Sequence, residues 1–566
     1  MGSVLAAAVL HRTPSRFAVL FSLLAALAFS LPGSAAEDVN KFSPVAVESF
    51  LPLPEDLPLQ EEPILVEPIE LPEHRPVDEA TWRQLKADAE VNPHAMPPQA
   101  VVPTTRRPEA SFPRFPGQGR NEGGLTPPDT TLARGETRIL QAVNSSIALY
   151  DTNGNLLERR SLANFFGAPV ASPPNIPFPP FDPKVLFDRN AVNRRFFAVA
   201  TQFQTNPDVG QIWLAVSRST NPANLAPANW CRYWISATND FGTSYATFPD
   251  QPKIGVGADS FVISADQFRI TPSIFTFVVI RAFQKLGLEN NATTCPTAIA
   301  SVFRPAEGPG QTNIMSLHPV LHYNSPSSFP GTLNPVYLIN ADTPSSNIYH
   351  VWRIKDPAGA GGPGQLQVVD ATGSAFDLPP DAPQSGTVIK LETFDSRIEA
   401  AQAFDNSLWA AHSTVCNSGG GATEACLKVV RINVGQDASG NPTASIGQDL
   451  TIGSGVDGVF YWMPGIAVNN THRTALAFLL SSPTTFLSSA WTAKNAGATI
   501  YPAAQIFGTG TCARPLEFNK LPRTGDYVGV HTAPDLSSFL LSVEHSAIDP
   551  PGGGICTWKT EILSVN

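Results

Sequence analysis

The feature that most constrains this chain is a module that recurs along residues 184–566: an apolar strand, a turn rich in Asp or Asn, then a second alternating strand. Copies include Lys253-Ile-Gly-Val-Gly-Ala-Asp-Ser-Phe-Val-Ile-Ser-Ala-Asp266, Pro464-Gly-Ile-Ala-Val-Asn-Asn-Thr-His-Arg-Thr-Ala-Leu-Ala-Phe-Leu-Leu480 and Tyr527-Val-Gly-Val-His-Thr-Ala-Pro-Asp-Leu-Ser-Ser-Phe-Leu-Leu-Ser-Val-Glu544. Others begin near Val185, Pro319 and Ile398. The starts fall roughly 65 residues apart, somewhat longer than a minimal four-stranded propeller blade.

From about residue 125 the strands are separated by Gly, Pro, Asn and Asp, with no long helical periodicity, an all-β signature. Strand clusters near 138–162, 184–236, 253–304, 318–355, 397–434, 463–503 and 526–566 predict a β-propeller over 125–566. The expected count is about seven blades, with six as the alternative. The first and last clusters should meet to close the ring, since an open edge leaves a row of unpaired backbone groups. Within the first cluster, Asp151-Thr-Asn-Gly-Asn155 reads as a hairpin turn, Asn153-Gly154 supplying the positive backbone angles. Oxygen side chains alternating at 151, 153 and 155 also suggest a calcium loop, but Glu158 comes too early for the bidentate acid such a loop needs.

Two segments precede the propeller. Residues 1–36 read as a secretory signal peptide: His11, Arg12 and Arg16, an apolar run from Phe17 to Leu31, and small residues ending at Ala36. The run is short for a membrane span, and no later stretch replaces it, so the expected product is secreted, extracellular or in the periplasm and cell envelope, without a membrane span. Residues 37–124 form an acidic, Pro-rich arm, extended where proline removes amide donors. One short helix is expected in it, capped by Asp78, with Trp82, Leu85 and Ala89 on one face and Asn92-Pro93 as the stop.

The formal net charge is −11, and residues 37–117 hold 15 acidic against 7 basic side chains. A nucleic-acid partner is disfavoured, because phosphate binding needs a basic surface. In an exported chain the six cysteines suit disulfides better than metal ligands. The pairing proposed is Cys231–Cys295, Cys416–Cys426 and Cys512–Cys556, with the ten-residue Cys416–Cys426 loop the most local. No cofactor is expected, and the chain reads as a monomer.

A series of segments resembles a known family. Pro127-Pro-Asp-Thr130, Leu140-Gln-Ala-Val-Asn144, Ile147-Ala-Leu-Tyr-Asp-Thr-Asn-Gly154, Asp182-Pro-Lys-Val-Leu-Phe-Asp188 and Leu214-Ala-Val-Ser-Arg-Ser-Thr-Asn-Pro222 are followed by Pro252-Lys-Ile-Gly-Val256 and Arg523-Thr-Gly-Asp-Tyr527. Together they are similar to secreted bacterial propellers of the sialidase-like, BNR-repeat-like group, largely uncharacterised. That resemblance implies a sialidase-type site: arginines gripping a carboxylate, a Tyr nucleophile polarised by Glu, and an Asp acid/base. Arg523, Asp526, Tyr527 and Glu544 have matching types. The chain departs from the pattern elsewhere. There is no Phe-Arg-Ile-Pro segment, and Ser219, Asn221 and Trp230 form a degenerate Asp box with Asn in place of Asp. Arg523 and Asp526 can equally brace a blade loop, and Glu544 can pair at a strand end.

Other chemistries leave fainter traces. A lyase would use a His and Tyr pair, for which His318, His322, Tyr323, His350, His412, His531 and His545 are available without one standing out. The glycine-rich stretches 359–364 and 419–421 lack the strand-to-helix setting of a phosphate cradle. The tryptophans fit packing between blades, with sugar stacking as the functional alternative. The reading that follows is a secreted propeller that binds extracellular polysaccharide or a surface protein through its loop-lined mouth. Its alternative is a carbohydrate-active hydrolase or lyase using Arg523, Asp526, Tyr527 and Glu544.

Overall fold

Short alternating segments joined by tight turns pair with their sequence neighbours, and the 131–161 sheet shows how. Thr131–Arg134, Arg138–Val143, Ser146–Asp151 and Leu156–Ser161 form one antiparallel ladder in chain order. Its last turn is the hairpin at Asp151. Gly154 has φ 88°, and the Asp151 carboxylate accepts the Asn153 and Asn155 amides at 2.8 and 2.9 Å and the Asn155 side-chain amide at 2.8 Å. The carboxylate organises the turn itself. Asp437-Ala-Ser-Gly-Asn441 repeats the device with the same bonds. The computed structural model describes residues 41–55, 69–70, 77–91, 114–123, 125–169, 178–189, 193–205, 207–271, 273–305, 314–322, 335–355, 364–549 and 554–565. The signal-peptide segment 1–36 and Tyr323 lie outside them.

The expected seven blades, or six, are corrected. Five discrete blades form: 131–161; 181–236; 318–376, with Lys41–Phe42 as an added strand; 460–508; and 529–565 with Phe115–Gly119. The clusters near 253–304 and 397–434, read from sequence as separate blades, fall in a single ten-stranded sheet that takes in 247–303 and 400–452. The physical cause is a two-residue strand, Leu321–His322, that pairs in parallel with its neighbours on both sides. Leu321 sits opposite Val256 and Gln402, and His322 opposite Ala403. A pairing this short has no alternation to betray it in the sequence. The remaining pair, Ile69–Glu70 with Leu125–Thr126, is a parallel ribbon.

The first strands touch one another in succession, Thr131–Arg134 against Phe181–Asp188, that strand against Thr247–Val256, and so on to Gly529–Thr532, which returns to Thr131–Arg134. They therefore line a central channel. The ring is tied by Phe115–Gly119, which pairs with Ile555–Val565 as the outer strand of the last blade. Apolar clusters fill the spaces between sheets. Trp213, Trp230, Trp352, Trp409, Trp462, Trp491 and Trp558 are buried there, whereas Trp234 is 45% exposed on an outer strand.

The described parts of the acidic arm lie along the propeller. Ala46–Phe50 pairs with Ala298–Phe303, Lys41–Phe42 with Leu366 and Gln367, and Pro52 bridges to Tyr233. Residues 41–53 thus run along three outer strands and satisfy backbone groups that would otherwise be an open edge. A helix follows over Glu79–Val91. Asp78 accepts the Thr81 amide at 3.0 Å, and Trp82 and Ala89 are buried against Leu378. The Lys86 ammonium donates to Pro379 O and Thr393 Oγ1, both at 2.8 Å. Among the described residues no helix is long and apolar enough to cross a membrane.

All three disulfides form as paired in the sequence reading: Cys231–Cys295, Cys416–Cys426 and Cys512–Cys556. Cys512–Cys556 closes a loop of 44 residues between the 460–508 and 529–565 blades. Replacing both by Ser should lower stability by about 2–4 kcal/mol, through loop-closure entropy regained by the unfolded chain. Denaturant titration checks this; an unchanged midpoint would show that the bridge contributes nothing.

Candidate functional site

The channel takes its character from an unusual backbone step. At or just before six first strands the chain passes through the left-handed region on a residue other than glycine: Asp129 (φ 46°), Asp182 (49°), Gln251 (43°), Ser316 (54°), Phe394 (59°) and Met463 (51°). Such residues cost about 1–3 kcal/mol each and persist only where surrounding structure holds them. The strand pairing shifts register at three of these places, between Phe181 and Lys184, Asp250 and Lys253, and Trp462 and Gly465. A bulge of this kind re-aims the side chains that follow it.

Side chains of the preceding sheet hold these turns. Asn144 Oδ1 accepts the Asp182 amide at 2.7 Å, Asp182 Oδ2 the Gln251 amide at 2.9 Å, and Asp266 Oδ1 the Ser316 amide at 2.8 Å. Ser413 Oγ accepts the Met463 amide at 3.0 Å. The series closes where Asp129 Oδ1 accepts the Asp526 amide at 2.7 Å, joining the last blade to the first. Nearby, Glu544 Oε1 accepts the Gly525 amide at 2.5 Å.

Because several of these acceptors are buried acids, cations gather around them. Arg523 Nη2 lies 3.2 and 3.1 Å from the two Asp526 oxygens. Asp526 Oδ2 also accepts Gln251 Nε2 at 2.9 Å, while Gln251 Oε1 accepts Arg397 Nη1 at 2.5 Å. Arg397 in turn grips Asp395 through Nε and Nη2, at 2.6–2.9 Å. Burial, then the charge of Asp526, pushes Asp129 up to about 7. Burial, then Asp250, holds Asp182 well above the ordinary carboxylate range. The Asp129 and Asp182 carboxyls are also hydrogen-bonded to each other. A pair in this setting retains a shared proton, since two like charges so close cannot both ionise.

The four residues singled out by family resemblance are brought to one region. Arg523 and Asp526 pair with each other, and Glu544 holds Gly525, the residue between Thr524 and Asp526. Tyr527 reaches the 181–236 blade, its hydroxyl donating to Pro183 O at 2.9 Å. Burial, then the nearby Asp182, keeps the phenol well above its ordinary pKa. Glu544 is pushed up to about 7 by burial, with Arg514 3.5 Å away opposing the shift. The histidines are dispersed. Burial lowers His318 to about 3, His350 is held between Asp342 and Asp370 and raised to about 9, and His412 meets the Tyr349 hydroxyl at 3.0 Å inside the protein. In the degenerate Asp box, Asn221 Oδ1 accepts the Thr137 amide and hydroxyl, and Trp230 is buried.

Sequence reasoning missed Asp395 and Arg397, and with them the buried Glu399, which senses both, and Lys184 and Lys253, which sense the acids of the channel. A faint signal exists: Asp182-Pro-Lys-Val185, Gln251-Pro-Lys-Ile254 and Met463-Pro-Gly-Ile466 place a proline after three of the six left-handed residues, ahead of an apolar run.

No protein-family model and no curated protein matches the chain. Solved structures similar to it include a protein of unknown function from Dyadobacter fermentans, 10% identical, TM-score 0.33, covering 78% of this chain and 94% of that one. The Trypanosoma rangeli sialidase is 10% identical with TM-score 0.33, over 77% of this chain and 57% of its own. An α-L-arabinofuranosidase from Fusarium graminearum is 10% identical with TM-score 0.32, over 80% and 98%. At this level of likeness no ligand or chemistry is carried over, and the fold rests on its own strand pairings.

The shared proton supplies a test. An acid whose pKa is raised on folding contributes stability that is present at low pH and lost as pH rises toward the folded value. In Asp182→Asn the amide oxygen can still accept the Gln251 amide, and the NH2 group can take the place of the shared proton toward Asp129. Relative to wild type, the variant should therefore gain stability as pH rises from about 5 to about 7, by up to about 1.4 kcal/mol per pH unit. Paired denaturant titrations across that range measure it. A constant difference, or one of opposite sign, would refute the shared proton.

Proposed function

We propose that the protein is an exported propeller module that binds an extracellular glycan at the mouth of its central channel without cleaving it. The carrying observation is that the groups a glycosidase would use are already engaged within the protein. Arg523 is engaged by Asp526, Arg397 by Asp395, the Tyr527 hydroxyl by Pro183 O and Glu544 by the Gly525 amide. A catalytic Arg must be free to grip a substrate carboxylate, and a nucleophile must be aligned with its base. Three disulfides suit an oxidising compartment, which supports the reading of residues 1–36 as a signal peptide. Support for a sugar as ligand comes from the half-buried Lys184, whose ammonium lies over the Tyr527 ring. Polar donors beside an aromatic face are what sugar hydroxyls and ring faces engage.

A second reading, a carbohydrate-active hydrolase or lyase, is favoured by one observation. Carboxyls with raised pKa values, Asp129 and Glu544 at about 7, cluster near two arginines, an arrangement common at active sites. A panel of sialylated, uronate and neutral polysaccharides separates the two, with retention and product release read together. Retention without products is expected. Product release that disappears in folded Arg523→Ala and Tyr527→Phe variants would establish the enzyme, and neither signal would remove the glycan reading.

A further inference from the structure

The channel holds one amine whose setting differs from the chain's other buried cations. Lys285 pairs with Asp188 at 2.7 Å, Lys428 with Asp449 at 2.5 Å, and Lys86 bonds Pro379 O and Thr393. Lys253 donates to Ser316 Oγ at 3.1 Å. Lys184 has no hydrogen bond or ion pair among the described residues; its Nζ lies 2.8 Å from the centroid of the Tyr527 ring. Its side chain follows the bulge between Phe181 and Lys184, and part of its surface stays open. The charged groups acting on it are Lys253, Asp129, Asp182 and Asp526, and the neutral His318 ring also senses it.

We propose that Lys184 is a carbonyl-capture site, an amine that condenses reversibly with a small aldehyde or ketone entering the channel. The Nζ lone pair attacks the carbonyl carbon, forming a C–N bond, and a proton passes from nitrogen to oxygen to give a carbinolamine. That hydroxyl then takes up the remaining N–H proton by way of solvent and leaves as water while the nitrogen lone pair closes the C=N bond. No oxidant or reductant takes part. Three features support the step. The amine has no anionic partner to displace, the aromatic ring shields it from bulk water, and a second lysine stands nearby. Burial, then Lys253, holds Lys184 well below the ordinary lysine range, so a larger share of it is free amine at neutral pH than for an exposed lysine. The Tyr527 hydroxyl, directed to Pro183 O, points its only proton away from the amine. This inference goes beyond glycan retention and does not depend on it.

The test uses the full chain with glycolaldehyde as the probe and cyanoborohydride to trap the imine as a secondary amine, followed by peptide mapping. At pH 7 Lys184 should be labelled at least about tenfold faster than the more exposed Lys390, since each unit of lowered pKa raises the free-amine fraction about tenfold. Near pH 10 the advantage should shrink to a few-fold, as other lysines deprotonate. Labelling of Lys184 no faster than Lys390 at pH 7, or an equal advantage at both pH values, would overturn the proposal. Lys184→Arg keeps a cation but cannot form the imine; it should lose the fast label and leave the labelling of Lys390 unchanged. Loss of glycan retention with fast labelling intact would remove the binding reading alone, and the converse would remove this one alone.

Discussion

The structure depends on one recurring interaction: a backbone amide in or just before a first strand, donated to a side chain of a neighbouring blade or of the turn leading into it. The Asp182, Gln251, Ser316, Met463 and Asp526 amides are all held this way. An amide buried without a partner would cost more than the hydrogen bond contributes, so each bond orients one sheet against the next. The left-handed residues are tolerable only inside this arrangement, and they bring the next side chains into the channel. The Asp129–Asp526 bond closes the series between the last and first blades.

That choice of acceptor sets the electrostatics of the channel. Carboxylates removed from water must gain cations, share protons or shift their pKa values. Asp526 and Asp395 gain Arg523 and Arg397, whereas Asp129 and Asp182 keep a proton between them. The same demand for closure explains how a group of residues can look like an enzyme in composition while its members are committed to partners within the protein. Lys184 stands outside these pairings, with no hydrogen bond or ion pair among the described residues.

The arm answers a different physical need. A propeller presents an outer strand edge on every blade, and residues 41–53 and 115–119 cover several of them with ladder bonds. The 79–91 helix adds an apolar anchor at Trp82 and a buried ammonium at Lys86, both on loops that precede the 400–452 segment. Its acidic, proline-rich composition is compatible with this role, since proline does not weaken a strand whose far side faces solvent.

Local chemistry was written in the sequence wherever neighbours along the chain sufficed. The Asn-Gly turn after Asp151, the cap at Asp78 with Trp82 and Ala89 on one face, the all-β alternation, and the cysteine pairings were legible there, as was the grouping of Arg523, Asp526 and Tyr527. What only the tertiary structure decided depends on residues far apart. Leu321 and His322 fuse two ladders through a pairing too short to leave a period. Asp129 meets Asp526 and Asp182 because the ring closes, and Arg397 joins them through Gln251. Periodicity reports which face of a strand is buried, but not which sheet it faces; that is settled by packing, and with it the partners and protons of every acid in the channel.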